Sequence, residues 1–303
     1  MSTDTERQAV SEWMDDVDLH RVKRKNRLFH LVLVGASLFG VVVLAFLIVD
    51  VILDTLIGVV VFEIDVGTFL TQTASSDWAS AGFLGAMIGS AWLLVFTLLF
   101  SFFLGVGTAV YLEEYAPDNR TTTLIEANLT NLAGVPSVVY GLLALGVFVN
   151  AMRMGPILIA GALALALLVT PIVIVASQEA LRAVPDGVRN GSLATGATQW
   201  QTIRGVVLPS AMPGIVTGTI LALARAIGET APLLMVGTVW GLRHHPGPFD
   251  RFGAMPTQIY EWAFLPEVEL QYLAAMGIAV LMTILLAMYG VAFFVRNRYE
   301  RSY

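Results

Sequence analysis

The sequence predicts an all-α membrane protein, a polytopic bundle of about six transmembrane helices. Of its 303 residues, 56% are hydrophobic and only 13% are charged, whereas a soluble domain carries about 25% charged residues. The mean hydropathy is +0.75. Apolar runs long enough to cross a bilayer, about 20 residues each, recur along the chain, and most of the charge lies in the termini and loops between them.

Residues 1–27 read as a polar tail, acidic first and then basic in "RVKRKNR", Arg21 to Arg27. The basic part suits a role in fixing topology and touching anionic headgroups of membrane lipid. Residues 28–303 read as one transmembrane domain. The first span, Leu28–Val49, follows a long charged segment and lacks a small-residue cleavage site, so it is not a signal peptide. Leu56–Phe62 is too short to span and extends the first helix. Gly82–Leu112 is longer than one crossing. Ala127–Met152 and Gly155–Gln178 form the third and fourth spans and contain Pro136 and Pro171. Each proline removes a backbone hydrogen bond and kinks its helix; a static kink and a hinge for alternating access both remain open. The fifth span, Ala211–Gly237, is interrupted only by Arg225 and Glu229, and Leu270–Val295 is the last. G-x-x-x-G at Gly85/Gly89, Gly214/Gly218 and Gly237/Gly241 marks tight helix packing.

Basic residues favour the cytoplasmic face. With both termini cytoplasmic in a multi-pass plasma-membrane protein, 13 of the 17 Lys and Arg fall inside. Arg153, Arg243 and Arg251 fall outside, and Arg225 lies within the membrane. The net charge of −6 fits an acidic surface adapted to high salt, and an ordinary habitat equally.

Several chemistries are excluded. There is no cysteine for a disulfide, thiolate metal site or nucleophile. H-E-x-x-H and G-x-S-x-G are absent; His20, His30, His244 and His245 do not form a zinc motif. The two lysines, Lys23 and Lys25, have no glycine-rich loop, so this chain has no Walker A site and is not expected to be an ATP-hydrolysing enzyme. N-x-[ST] at Asn119, Asn128 and Asn190 falls in or near predicted cytoplasmic loops and reads as chance. Nothing points to nucleic acid.

The loop between spans four and five, about residues 178–210, is too organised for a tether. Ala180, Leu181 and Val184 continue the fourth helix, and Pro185-Asp186-Gly187 marks a turn. A short helix follows from about Val188 to Thr195 and ends at Gly196 in a left-handed cap. A second helical stretch starts near Thr198. Such a helix–turn–helix suits docking into a groove on a partner; a loop that only covers helix ends is the plainer alternative.

The segment resembles the ATPase-coupling loop of ABC-importer permeases, whose pattern is E-A-A, three residues, Gly, nine residues, Ile, one residue, Leu-Pro. Gly196, Val206, Leu208 and Pro209 stand at matching positions, while E-A-A is replaced by Asn190, Gly191 and Ser192. "LAGVPSVVYGLLAL" (Leu132–Leu145) resembles the third-helix motif of phosphate permeases, "IGETAPLL" (Ile227–Leu234) is similar to the PstA-type subunit in particular, and the resemblance covers about residues 28–295. It implies the type I ABC-importer permease fold, with Asn190, Gly191, Ser192, Leu193, Ala194, Gly196, Ala197, Leu208 and Pro209 in ATPase coupling. It also implies a homologous second permease subunit of the PstC type, two ATP-binding subunits, an extracytoplasmic phosphate-binding protein, and phosphate as substrate. No cofactor is implied in this chain; ATP and Mg belong to the partner subunits.

In that setting Arg225 and Glu229, four residues apart on one predicted helix face, take on meaning. Arginine offers a planar fork of donors for an oxyanion stripped of water. Glu229 would hold and moderate Arg225, or accept a hydrogen bond from protonated phosphate, and Thr230 would add a hydroxyl. A purely structural ion pair remains the alternative. So do a permease for sulfate or molybdate, an ATP-independent transporter or channel, and a non-transporting scaffold.

Overall fold

A computed structural model describes residues 19–75, 77–238 and 246–300. Arg243, His244, His245, Arg301, Gly241 and residues 1–18 of the polar tail lie outside the described residues. The chain divides into two compact units, residues 1–53 and 54–303. The described part of the first unit belongs to α1 (Leu19–Val60). This helix absorbs the expected extension from Leu56. Its apolar side chains, such as Phe39, Leu44 and Phe46, are exposed, as lipid-facing groups of a spanning helix are.

The second unit is helical throughout its regular elements. After α2 (Val66–Thr71), capped by Asp65 accepting from the Thr68 amide at 2.6 Å, comes α3 (Leu84–Glu114). α3 buries Gly85, Gly89, Leu93, Thr97, Ser101, Gly105 and Ala109. That spacing of four makes one straight, mostly small ridge, and α6 (Leu158–Arg182) lies against it. Thr97 donates to the Ala162 carbonyl at 3.3 Å, and a Cβ added at Gly105 would meet Val173 at 2.7 Å. At Gly89 an added Cβ would stand 2.0 Å from the Gly253 carbonyl oxygen, so the returning 246–254 segment rests directly on α3. Pro171 sits inside α6, as expected. Gly214 and Gly218 press on Ala180 and Ala176 of α6, the close packing that their spacing predicts.

Two expected spans are broken. The third is not one run from residue 127 to 152. α4 (Arg120–Ala133) and α5 (Ser137–Ala144, continued as a π-helical stretch to Ala151) are bent by 100°. Pro136 therefore precedes a helix instead of kinking one. Proline cannot donate, and it drives the preceding residue out of the helical region. The Leu132 carbonyl accepts instead from Val135 and from the Tyr140 hydroxyl at 2.8 Å, which stitches the corner. Asn119 caps α4 through Thr121 and Thr122, so this N-x-[ST] match has a structural role.

The fifth span also stops short. α9 (Leu208–Ile227) ends at Gly228, and α10 (Ala231–Val236) follows with Pro232 in its first turn. Continuing the helix would leave the Gly228 carbonyl without a donor at Pro232. Five described helices are long and apolar enough to cross a membrane, or six if the bent α4–α5 pair forms one span. At one end, α11 (Met255–Phe264) and the start of α12 (Val268–Glu300) close an aromatic core of Phe69, Phe83 and Trp262.

Candidate functional site

At the opposite end, two short helices project beyond α6. α7 (Asp186–Ala194) starts two residues earlier than predicted: extended Pro185 is its N-cap, and the Pro185 carbonyl accepts from the Val188 amide at 3.0 Å. It ends at Gly196, whose φ of +89° is the left-handed cap that the sequence demands. α8 (Gln199–Thr202) begins with a capping box between Thr198 and Gln201, then runs through a π-helical stretch, Ile203–Val207, into α9.

α7 has no buried residue. Asn190, Gly191, Leu193, Ala194 and Gly196 are exposed, with Ser192 and Ala197 half-buried. Val188, Leu193 and Trp200 present apolar side chains outward. A short helix with an exposed apolar patch can seat in a groove of another protein. Leu208 and Pro209 are not on this helix; they stand at the start of α9.

Sequence reasoning missed the charges at this end of the molecule: Arg189 mounts the hairpin, while Arg182 joins α6 to α3 and α4. Arg189 donates to Glu114 at 3.0 Å, to Asp186 at 3.2 Å, and to the Leu181 and Val184 carbonyls at 2.7 and 3.0 Å. Arg182 bonds Glu113 at 2.9 Å and Glu126 at 3.1 Å, and Gln178 also donates to Glu126. Gln199 donates to the Glu114 carbonyl, and the Ser192 and Thr202 hydroxyls pair at 2.9 Å. The available signal was the doublet Glu113-Glu114 at a span's end, with two arginines seven residues apart in the loop.

The second region is the break between α9 and α10. Arg225 occupies the last turn of α9, and Glu229 lies past the helix end, so the two do not share a regular helix face. They still face each other, with Nε and Oε1 3.7 Å apart. That is an ion pair without a hydrogen bond. The Arg225 side chain is 53% exposed and the Glu229 side chain 17%. Thr230 stands half-buried at the entry to α10. The break is held from behind: a Cβ added to Gly141 of α5 would meet the Pro232 Cα at 2.6 Å. The structure thus brings Arg225, Glu229 and Thr230 into one turn, with the guanidinium facing outward.

Residues 105–301 match the family model described as "Binding-protein-dependent transport system inner membrane component". Among curated relatives, the chain is 39% identical over 166 residues to "Probable ABC transporter permease protein YqgI" of Bacillus subtilis (strain 168), covering 55% of this chain and 56% of that one. It is 44% identical over 133 residues to "Phosphate transport system permease protein PstA 1" of Mycobacterium tuberculosis (strain ATCC 25618 / H37Rv), covering 44% and 43%. The chain spans about half the length of these two relatives. A longer match, 31% identical over 286 residues, covers 93% of this chain and 98% of "Phosphate transport system permease protein PstA" of Pasteurella multocida (strain Pm70). Two solved structures share the fold. One is an inward-facing MetNI methionine ABC transporter (TM-score 0.55, 21% identity, 72% of this chain and 94% of that one). The other is a bacterial ABC transporter involved in import of the acidic polysaccharide alginate (TM-score 0.61, 15% identity, 94% and 99%).

Proposed function

The chain belongs to the family of binding-protein-dependent transport system inner membrane components, and on that premise we propose that it is a permease subunit of an ATP-driven importer for inorganic phosphate. It is a multi-pass membrane protein with a type I ABC-importer permease fold, and the family is one of transport components, not catalytic enzymes. The observation that carries the reading is α7, an exposed short helix bound by side chains to the ends of two spanning helices. A secondary transporter has no use for such an element, whereas a permease driven by separate ATP-binding subunits needs a place for them to push. Phosphate as cargo rests on the likeness to relatives named phosphate transport permeases.

In this reading α7, with Asn190–Ala194, Gly196 and Ala197, seats in a groove of an ATP-binding subunit. Two such subunits bind ATP and Mg. A homologous permease subunit completes the path, and an extracytoplasmic phosphate-binding protein delivers the ion. Leu208 and Pro209 pass the movement of α7 into α9. Arg225 meets the oxyanion, because a planar guanidinium matches its oxygens and stays charged throughout. Glu229 keeps Arg225 from trapping the ion and accepts a hydrogen bond from protonated phosphate, and Thr230 adds a hydroxyl. The test is reconstitution of the four components in proteoliposomes. ATP-driven phosphate uptake that sulfate and molybdate fail to compete supports the reading; uptake without any ATPase sinks it.

A further inference from the structure

α7 has no buried side chain and is joined to its neighbours at sharp changes of chain direction, extended Pro185 on one side and left-handed Gly196 on the other. Hydrophobic packing therefore does not set its attitude. Two polar side chains tie it down: Ser192 pairs with Thr202 of the adjoining α8, and Arg189 reaches the spanning helices. Arg189 leaves α7 and reaches the end of α3 through Glu114 and the end of α6 through the carbonyls of Leu181 and Val184. Both members of the ion pair are enclosed, at 19% and 11% side-chain exposure. The nearby Arg182, at 54%, is much more open.

Enclosure makes the Arg189–Glu114 pair less screened than a surface bridge, and removing one partner leaves the other charge poorly solvated. The Leu181 carbonyl also sits in the last turn of α6, at the negative end of its dipole, where a cation is favoured. Lysine cannot reproduce this, because only a guanidinium spreads donors over a plane wide enough for acceptors on three elements. The Gln199 bond to the Glu114 carbonyl adds a second tie from the hairpin to the same residue of α3.

We propose that Arg189 is a positioning residue for transport: it clamps α7 to the ends of α3 and α6, so that a push on α7 moves both spanning helices instead of bending the loop. The inference rests on the reading of α7 as the ATPase-docking helix. Without the clamp, ATP hydrolysis continues but its motion is lost at Pro185 and Gly196.

The test is the complete reconstituted complex, measuring phosphate imported per ATP hydrolysed. With ATPase co-purification unchanged, Arg189→Met lowers that ratio about tenfold and Glu114→Gln, which keeps shape and an acceptor, about threefold. Arg189→Lys falls between unsubstituted protein and Arg189→Met, and Arg182→Met leaves the ratio within about twofold. A ratio unchanged in Arg189→Met or Glu114→Gln overturns the clamp. Loss of ATPase binding in both also overturns it, since the residue would then serve docking or folding alone. If the unsubstituted complex shows no ATP-driven uptake, the functional reading itself fails, before any variant is compared.

Discussion

An arginine within an apolar membrane segment is costly, so Arg225, in the last turn of α9, needs compensation. Two sources are present: the carbonyl end of α9 and Glu229 at 3.7 Å. The carboxylate is the more enclosed partner, which leaves the guanidinium free to reach outward. A charge-assisted hydrogen bond is worth about 1.5–3 kcal/mol, so Arg225→Ala is expected to lower ATP-driven phosphate uptake about tenfold to a hundredfold. Normal uptake in an assembled Arg225→Ala complex would return the pair to a structural role. A different residue carries a pH signature. Burial raises the Glu261 carboxyl on α11 from 4.5 to about 7. The fold thus prefers its neutral form, and its stabilising effect is complete below pH 4.5 and lost as pH rises through about 7. The thermal midpoint of the unsubstituted protein should fall across that window more than that of Glu261→Gln. Parallel curves would show that Glu261 does not titrate there.

At the scale of elements, the bundle depends on backbones brought closer than side chains allow. Gly89→Ala would set a Cβ against the Gly253 carbonyl and is expected to cost about 1–3 kcal/mol through overpacking. Gly196 differs: nothing lies within 4 Å of an added Cβ, but φ is +89°. Gly196→Val should therefore cost about 1–2 kcal/mol from backbone strain alone. It should act on α7 and coupling more than on the spanning core. Thermal unfolding of both variants, with ATPase co-purification for the second, separates these effects. The cap at Gly196 was legible because glycine signals a local conformation. The clean break at Pro136 was not, because a lone proline in an apolar run reads equally as a kink; the Tyr140–Leu132 contact decides between them.

For the molecule as a whole, the skewed distribution of Lys and Arg sets the expected orientation. The absence of cysteine makes it easy to test. Single cysteines at exposed Ser80 and Thr121 should respond oppositely to a membrane-impermeant maleimide. Intact cells should label Ser80→Cys, and inverted vesicles Thr121→Cys; the reverse pattern would invert the topology.

Composition and apolar run length alone determined that the chain is a helical membrane protein, because both depend on transfer from water and not on neighbours. Local spacing likewise determined the α7–α8 hairpin and its cap. Tertiary structure decided where the third and fifth spans break, since a helix end becomes acceptable only when something packs against it, as Gly141 does against Pro232. It also decided the mounting of α7 and, separately, the ion pair that joins α6 to α3. Arg189 and Glu114 are 75 residues apart, and Arg182 and Glu113 are 69. No periodicity of one chain segment carries such a pairing; it exists only once α3 and α6 lie side by side.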